Sequence, residues 1–144
     1  MARHFFFYGT LRHDIAQGLP TRLVEGLEVL GPATVAGRIF AKHDPRGTYP
    51  VLLRGGIGRV HGTVCRASER FSIRNLAAMD RFEGAAGRGG EYVRRPLQVL
   101  RDGGATLTAD AYVYNRQVTA ALTPIPHGDF ARYLAETGLA PYGG

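Results

Sequence analysis

Cysteine is almost missing from this chain: Cys65 stands alone among 144 residues. A single thiol excludes an internal disulfide framework and any multi-cysteine metal site, zinc fingers among them. Lysine is equally rare, with Lys42 the only one beside seventeen arginines. Long apolar runs are absent too. The short run at residues 5–8 has neither the length of a signal h-region nor a cleavage-like tail, and no stretch reaches the roughly 20 apolar residues of a membrane span. These absences predict a cytoplasmic chain with no membrane role. There is no P-loop, GxGxxG, HExxH or GxSxG motif. The five histidines, at positions 4, 13, 43, 61 and 127, keep no ligand spacing, so no metal site is expected.

What is present is ordinary globular composition, 44% apolar and 21% charged, over a length that predicts one domain spanning residues 1–144. The 20 glycines and 8 prolines favour many turns and short strands over long helices. A net charge of +6 and a pI near 10.0 raise the question of nucleic acid. The arginines are dispersed, however, with Arg94-Arg95 the only adjacent pair, and no aromatic-interleaved recognition motif accompanies them. An anionic small molecule is the better-matched partner, and no nucleic-acid partner is expected.

The sequence pattern predicts mostly strands. Residues 5–8, Phe-Phe-Phe-Tyr, are apolar on both alternating faces and read as a central strand ended by Gly9. "LPTRLVEGLEVL" offers Thr21 as an N-cap and a short helical pattern through about Leu27. "ATVAGRIF", "TYPVLLRGG" and "GRVHGTVC" read as separate strands. Gly37 and Gly62 within them mark bulges or close backbone approaches. "SIRNLAAMDRFEG" is the clearest helix, with Ser72 as N-cap and Gly84 as a C-terminal αL cap. "EYVRRPLQVL" and "ATLTADAYVYN" form a hairpin across Asp102-Gly103-Gly104, and "GDFARYLAET" is a weaker helix. The predicted class is α+β: a small mixed domain around a curved or closed, mainly antiparallel β-barrel with one main helix packed on it.

Three places carry candidate chemistry. Cys65 shares a strand face with His61, four residues earlier, and the favoured reading is a buried, inert thiol. On the main helix, Ile73, Leu76, Met79, Asp80 and Glu83 fall within about 120° of one another, so two carboxylates share the apolar stripe. Glu83 also lies at the negative end of the helix dipole. Desolvation and dipole together would raise its pKa toward that of a general base working near neutrality. The alternative is a helix that ends one residue early, with Glu83 in solvent and Asp80 in an ion pair. In "YGTLR", Gly9 permits a positive-φ turn that aims successive N–H groups at an anion or oxyanion, or it is a plain strand-to-loop turn.

The ordered set of "YGTL", "YPVL", a Val-x-Gly strand, "MDRFEG" followed by Tyr92, "AYVY" and Gly128-Asp129-Phe130 resembles the γ-glutamyl cyclotransferase-like superfamily. That resemblance implies a β-barrel enzyme without cofactor, acting on a small-molecule γ-glutamyl substrate. The α-amine of the substrate would attack its own γ-carbonyl, giving 5-oxoproline and a released amine or amino acid. It further implies Glu83 as catalytic acid/base and Tyr8, Gly9, Thr10, Leu11 and Tyr92 as substrate-binding residues. Two departures stand out: the glycine-rich stretch between Glu83 and Tyr92, and Phe130 where members often carry Trp. The competing expectation is a catalytically silent protein of the same fold that binds a γ-glutamyl compound or another anion.

Overall fold

The computed structural model describes residues 3–9, 25–85 and 89–142. Among these, β1 (His4–Phe7) lies antiparallel to β3 (Gly47–Ala67) and meets β5 (Thr106–Tyr114) in parallel through Phe5 and Asp110. From β5 the sheet continues antiparallel through β4 (Tyr92–Arg101) to β2 (Leu27–Asp44), and β2 pairs back onto β3. That return closes a five-stranded mixed barrel. A short β6 (Thr123–Ile125) extends β2 outside the closure, through Ile39 and Ile125. Helix α1 (Ile73–Phe82) and helix α2 (Phe130–Thr137) complete the described elements.

The two-faced apolarity of β1 finds its reason in two distinct cores. Phe6 and Tyr8 pack with Val35, Ile39, Leu52 and Val64, whereas Phe5 and Phe7 pack with Val51, Cys65, Met79 and Tyr112. Met79 brings α1 onto the second cluster. Cys65 is buried there, and burial pushes its thiol up to about 11, as suits an inert core group. His61, on the same strand, is exposed.

The strands read from sequence as three pieces are two long ones. β2 and β3 pair from Leu27↔Ala67 to Asp44↔Gly47, and the glycines interrupt register rather than strand. At Gly37 the pairing jumps from Ala36↔Arg59 to Gly37↔Arg54, which leaves residues 55–58 as an excursion with Gly55 and Gly56 at positive φ. A Cβ on Gly37 would stand 2.7 Å from the Leu53 carbonyl oxygen, and one on Gly62 would collide with the Phe7 carbonyl. Both glycines therefore mark the bulge and close approach expected of them. The helical pattern carried to Leu27 is corrected: residues 25–26 form a turn and Leu27 opens β2, while the part before Glu25 lies outside the described residues. The β4–β5 hairpin turns where expected, with Gly103 and Gly104 at positive φ.

Phe130 is fully buried against the barrel cluster and anchors α2. Asp129 caps that helix by accepting from the Arg132 N–H, and the carbonyl of Gly128 accepts from the His61 N–H at 2.8 Å. The Gly-Asp-Phe triplet is thus a fold device: turn, cap and anchor. Phe130→Ala is expected to cost about 3–5 kcal/mol, read as a lower denaturant midpoint at unchanged slope.

Candidate active site

Glu83 reaches its place because α1 stops one residue before it. Ser72 caps the helix by accepting from the Asn75 N–H, and the Asn75 side chain accepts from the Ser72 N–H in return. At the other end Ala85 N–H bonds the Asp80 carbonyl at 2.8 Å and Gly84 N–H the Arg81 carbonyl at 3.1 Å, with Gly84 at φ +67°. This is a Schellman ending, which makes Glu83 the C-cap. The two carboxylates of the stripe then part company. Asp80 pairs with Arg94 Nε at 2.9 Å and accepts from the Tyr112 hydroxyl at 2.6 Å, so it is structural. Ile73 leaves the stripe altogether: it sits in the first turn, off the barrel, and is 86% exposed.

Glu83 does not swing into solvent. It lines a cavity of about 280 Å³ bounded by the end of β1, the β2–β3 hairpin, the end of α1 and Tyr92. The residue keeps partial exposure toward that cavity while its carboxyl end is enclosed. Desolvation, with a smaller push from Glu91, raises the carboxyl from its ordinary 4.5 to about 8. Its position at the helix C-terminus acts in the same direction.

The end of β1 supplies the facing wall. Tyr8 is buried with its hydroxyl donated to the Tyr112 carbonyl, and Gly9 lines the cavity beside it. Gly9 is not at positive φ; its need for glycine is a close approach, since a Cβ would lie 2.7 Å from Pro50 Cγ. Tyr92 is buried, lines the same cavity and donates its hydroxyl to the Pro50 carbonyl at 2.7 Å. Pro50 therefore locks Gly9 and Tyr92 into one layer. Gly9→Ala is expected to push that layer apart and lower stability by about 1–3 kcal/mol, visible in thermal melting. The structure brings together Tyr8, Gly9, Glu83 and Tyr92; Thr10 and Leu11 lie outside the described residues.

A second carboxylate lines the cavity that sequence reasoning did not single out. Glu91 accepts at one oxygen, Oε2, from Lys42 Nζ at 2.6 Å and from the Tyr49 hydroxyl at 2.8 Å. Lys42 and Tyr49 are register partners on β2 and β3, and the Lys42 ammonium also stands 5.7 Å from the Tyr114 ring centre. Asp44, Arg46 and Tyr142, near the hairpin tip, also line the cavity. The one available signal was the isolation of Lys42 in an arginine-only chain, and that gives no partner.

The family model described as "Gamma-glutamyl cyclotransferase, AIG2-like" matches residues 5–132. Among solved structures, YkqA from Bacillus subtilis is 21% identical over 96% of this chain with a TM-score of 0.68. This chain covers only 43% of that protein's length. An AIG2-like protein from Mus musculus is 21% identical, with 90% of this chain and 88% of that one covered and a TM-score of 0.66. A structure described as gamma-glutamyl cyclotransferase is 17% identical, covering 88% of this chain and 73% of that one, at a TM-score of 0.60. At these identities the likeness concerns the fold. Comparison with curated protein sequences gives no match.

Proposed function

The chain belongs to the AIG2-like gamma-glutamyl cyclotransferase family, and from that premise we propose that it cyclises a γ-glutamyl group to 5-oxoproline, releasing the attached amine, with Glu83 as general acid/base. The observation that carries this reading is a carboxyl raised to about 8 on the wall of a cavity shared with the end of β1. An α-ammonium has an ordinary pKa near 8 and attacks nothing until it loses a proton. A base of matching pKa takes that proton at little free-energy cost.

Two protons leave the α-nitrogen. Glu83 takes the first from the α-ammonium and passes it to solvent; the freed lone pair then forms the bond to the γ-carbon, and Glu83 takes the second from the same nitrogen as the ring closes. The γ-carbonyl oxygen becomes an oxyanion, for which this reading assigns the amide of Gly9, a residue that lines the cavity, as donor. As the oxyanion collapses, the bond to the departing nitrogen breaks and protonated Glu83 returns its proton there. Ring closure through five atoms already supplies proximity. Tyr8 and Tyr92 spend their own hydroxyl protons on backbone carbonyls, so in this reading they shape and desolvate the pocket rather than carry protons.

The test is a panel of γ-glutamyl amines and γ-glutamyl peptides assayed for 5-oxoproline, with Glu83→Gln alongside. Turnover that requires Glu83 supports the reading. Saturable binding with no product from any compound would favour the silent binder instead.

A further inference from the structure

Three carboxylates line the cavity: Asp44, which pairs with Arg46, and Glu83 and Glu91, which differ in their partners. Glu83 forms no ion pair among the described residues and its carboxyl is raised, whereas Glu91 is in an ion pair with the only lysine of the chain. They are neighbours: a Cβ on Gly84, next to Glu83 in sequence, would lie 3.8 Å from Glu91 Cβ, and Tyr92 N–H bonds the Gly84 carbonyl. Glu91 is held on both sides. Its carbonyl accepts from the Asn115 N–H at 2.7 Å, and its Oε2 takes both donors from the hairpin. Oε1 has no hydrogen-bond partner among the described residues, and Glu91 lines the cavity.

Side-chain hydrogen bonds to the hairpin fix Glu91 within the pocket. Tyr92 meets Pro50, which touches Gly9, whereas Glu91 meets Tyr49, one residue nearer the hairpin tip. In the cyclisation proposed above, the γ-carbonyl is held beside Gly9 and Glu83, and the amine half would extend toward the hairpin tip. An acceptor at this level meets the nitrogen that leaves.

We propose that Glu91 is a second substrate-contacting residue, whose free Oε1 accepts the N–H of the departing nitrogen, with Lys42 and Tyr49 as the positioning residues that aim it. The inference rests on the cyclisation reading. Glu91 exchanges no proton: the one from Glu83 arrives at a nitrogen whose own N–H is already held, and the positive charge developing there faces a carboxylate. A hydrogen bond to a charged acceptor is worth about ten- to a hundredfold in rate. The substrate class this selects is a γ-glutamyl secondary amide, with tertiary amides lacking the N–H disfavoured.

Glu91→Gln is an informative variant. Lys42 and Tyr49 are both donors, so the new carboxamide turns its oxygen to them and its NH2 toward the cavity, setting donor against donor. The experiment compares γ-glutamyl-ethylamide with its N-methyl tertiary counterpart. Wild type is expected to prefer the secondary amide in kcat/KM, and Glu91→Gln to lose about ten- to a hundredfold more on it than on the tertiary amide. Equal losses on both would show a merely structural role and overturn the inference, as would no loss. Lys42→Met should move the same ratio in the same direction, with recovery in Lys42→Arg. If no compound yields 5-oxoproline, the cyclisation reading fails by itself. Calorimetric binding of both amides to Glu83→Gln and to Glu83→Gln/Glu91→Gln then decides the inference: a preference for the secondary amide that vanishes with Glu91 supports it, and equal binding overturns it.

Discussion

Glu83→Gln is expected to lower 5-oxoproline release by about 10²- to 10⁴-fold while the protein stays folded. The substitution keeps volume and removes only the ability to exchange a proton, so the geometry of the C-cap and the Gly84 turn survives. Without a base the α-amine waits for water to deprotonate it, and without an acid the departing nitrogen leaves as a poor anion. Both halves of the reaction lose the same residue, which places the effect at the upper part of that range. Circular dichroism and melting, measured beside single-turnover product formation, separate lost chemistry from lost structure. An activity within threefold of wild type would remove Glu83 from the mechanism.

The residues most legible in the sequence are those whose meaning is local. β1 announces a strand between two cores because Phe5, Phe6, Phe7 and Tyr8 leave no polar face, and the structure divides them alternately between the clusters. The end of α1 is legible for the same reason, since Ser72, the apolar spacing and Gly84 fix where it starts and stops. Glu83 and Asp80 look alike on the helical wheel, and only Arg94 and Tyr112, fourteen and thirty-two residues from Asp80, distinguish them. Gly9 carries a correct signal with a different cause: φ is unremarkable, and the constraint is Pro50, forty-one positions away in sequence. Glu91 is silent in the sequence because its placement comes from a hairpin whose strands close the barrel at a distance. Glycines within β2 and β3 resemble strand ends because a bulge and a terminus both call for missing side chains.

The second large effect is a stability difference between wild type and Glu83→Gln that opens as pH rises. Glu83 titrates at an ordinary 4.5 in the unfolded chain and at about 8 in the folded one. Between those values the folded state binds the extra proton, so this group's contribution to stability is fully present below 4.5 and falls as pH rises, lost once the folded pKa is passed. Discounted for the partial exposure of the residue, the burial of a charge here costs on the order of 3 kcal/mol above pH 8. The glutamine variant carries no charge to bury at this position. Glu83→Gln should therefore melt close to wild type at pH 5 and roughly 10 °C higher at pH 9. The difference between the two proteins cancels the titrating groups that do not act on Glu83, the Asp80–Arg94 pair that both retain among them. A constant difference across that range would mean an ordinary, hydrated carboxylate at position 83. The match to the α-ammonium would then be gone, and general base catalysis by this residue with it. The same variant that loses activity is expected to gain stability at alkaline pH, because the desolvation that makes Glu83 a base near neutrality is the strain the fold carries there.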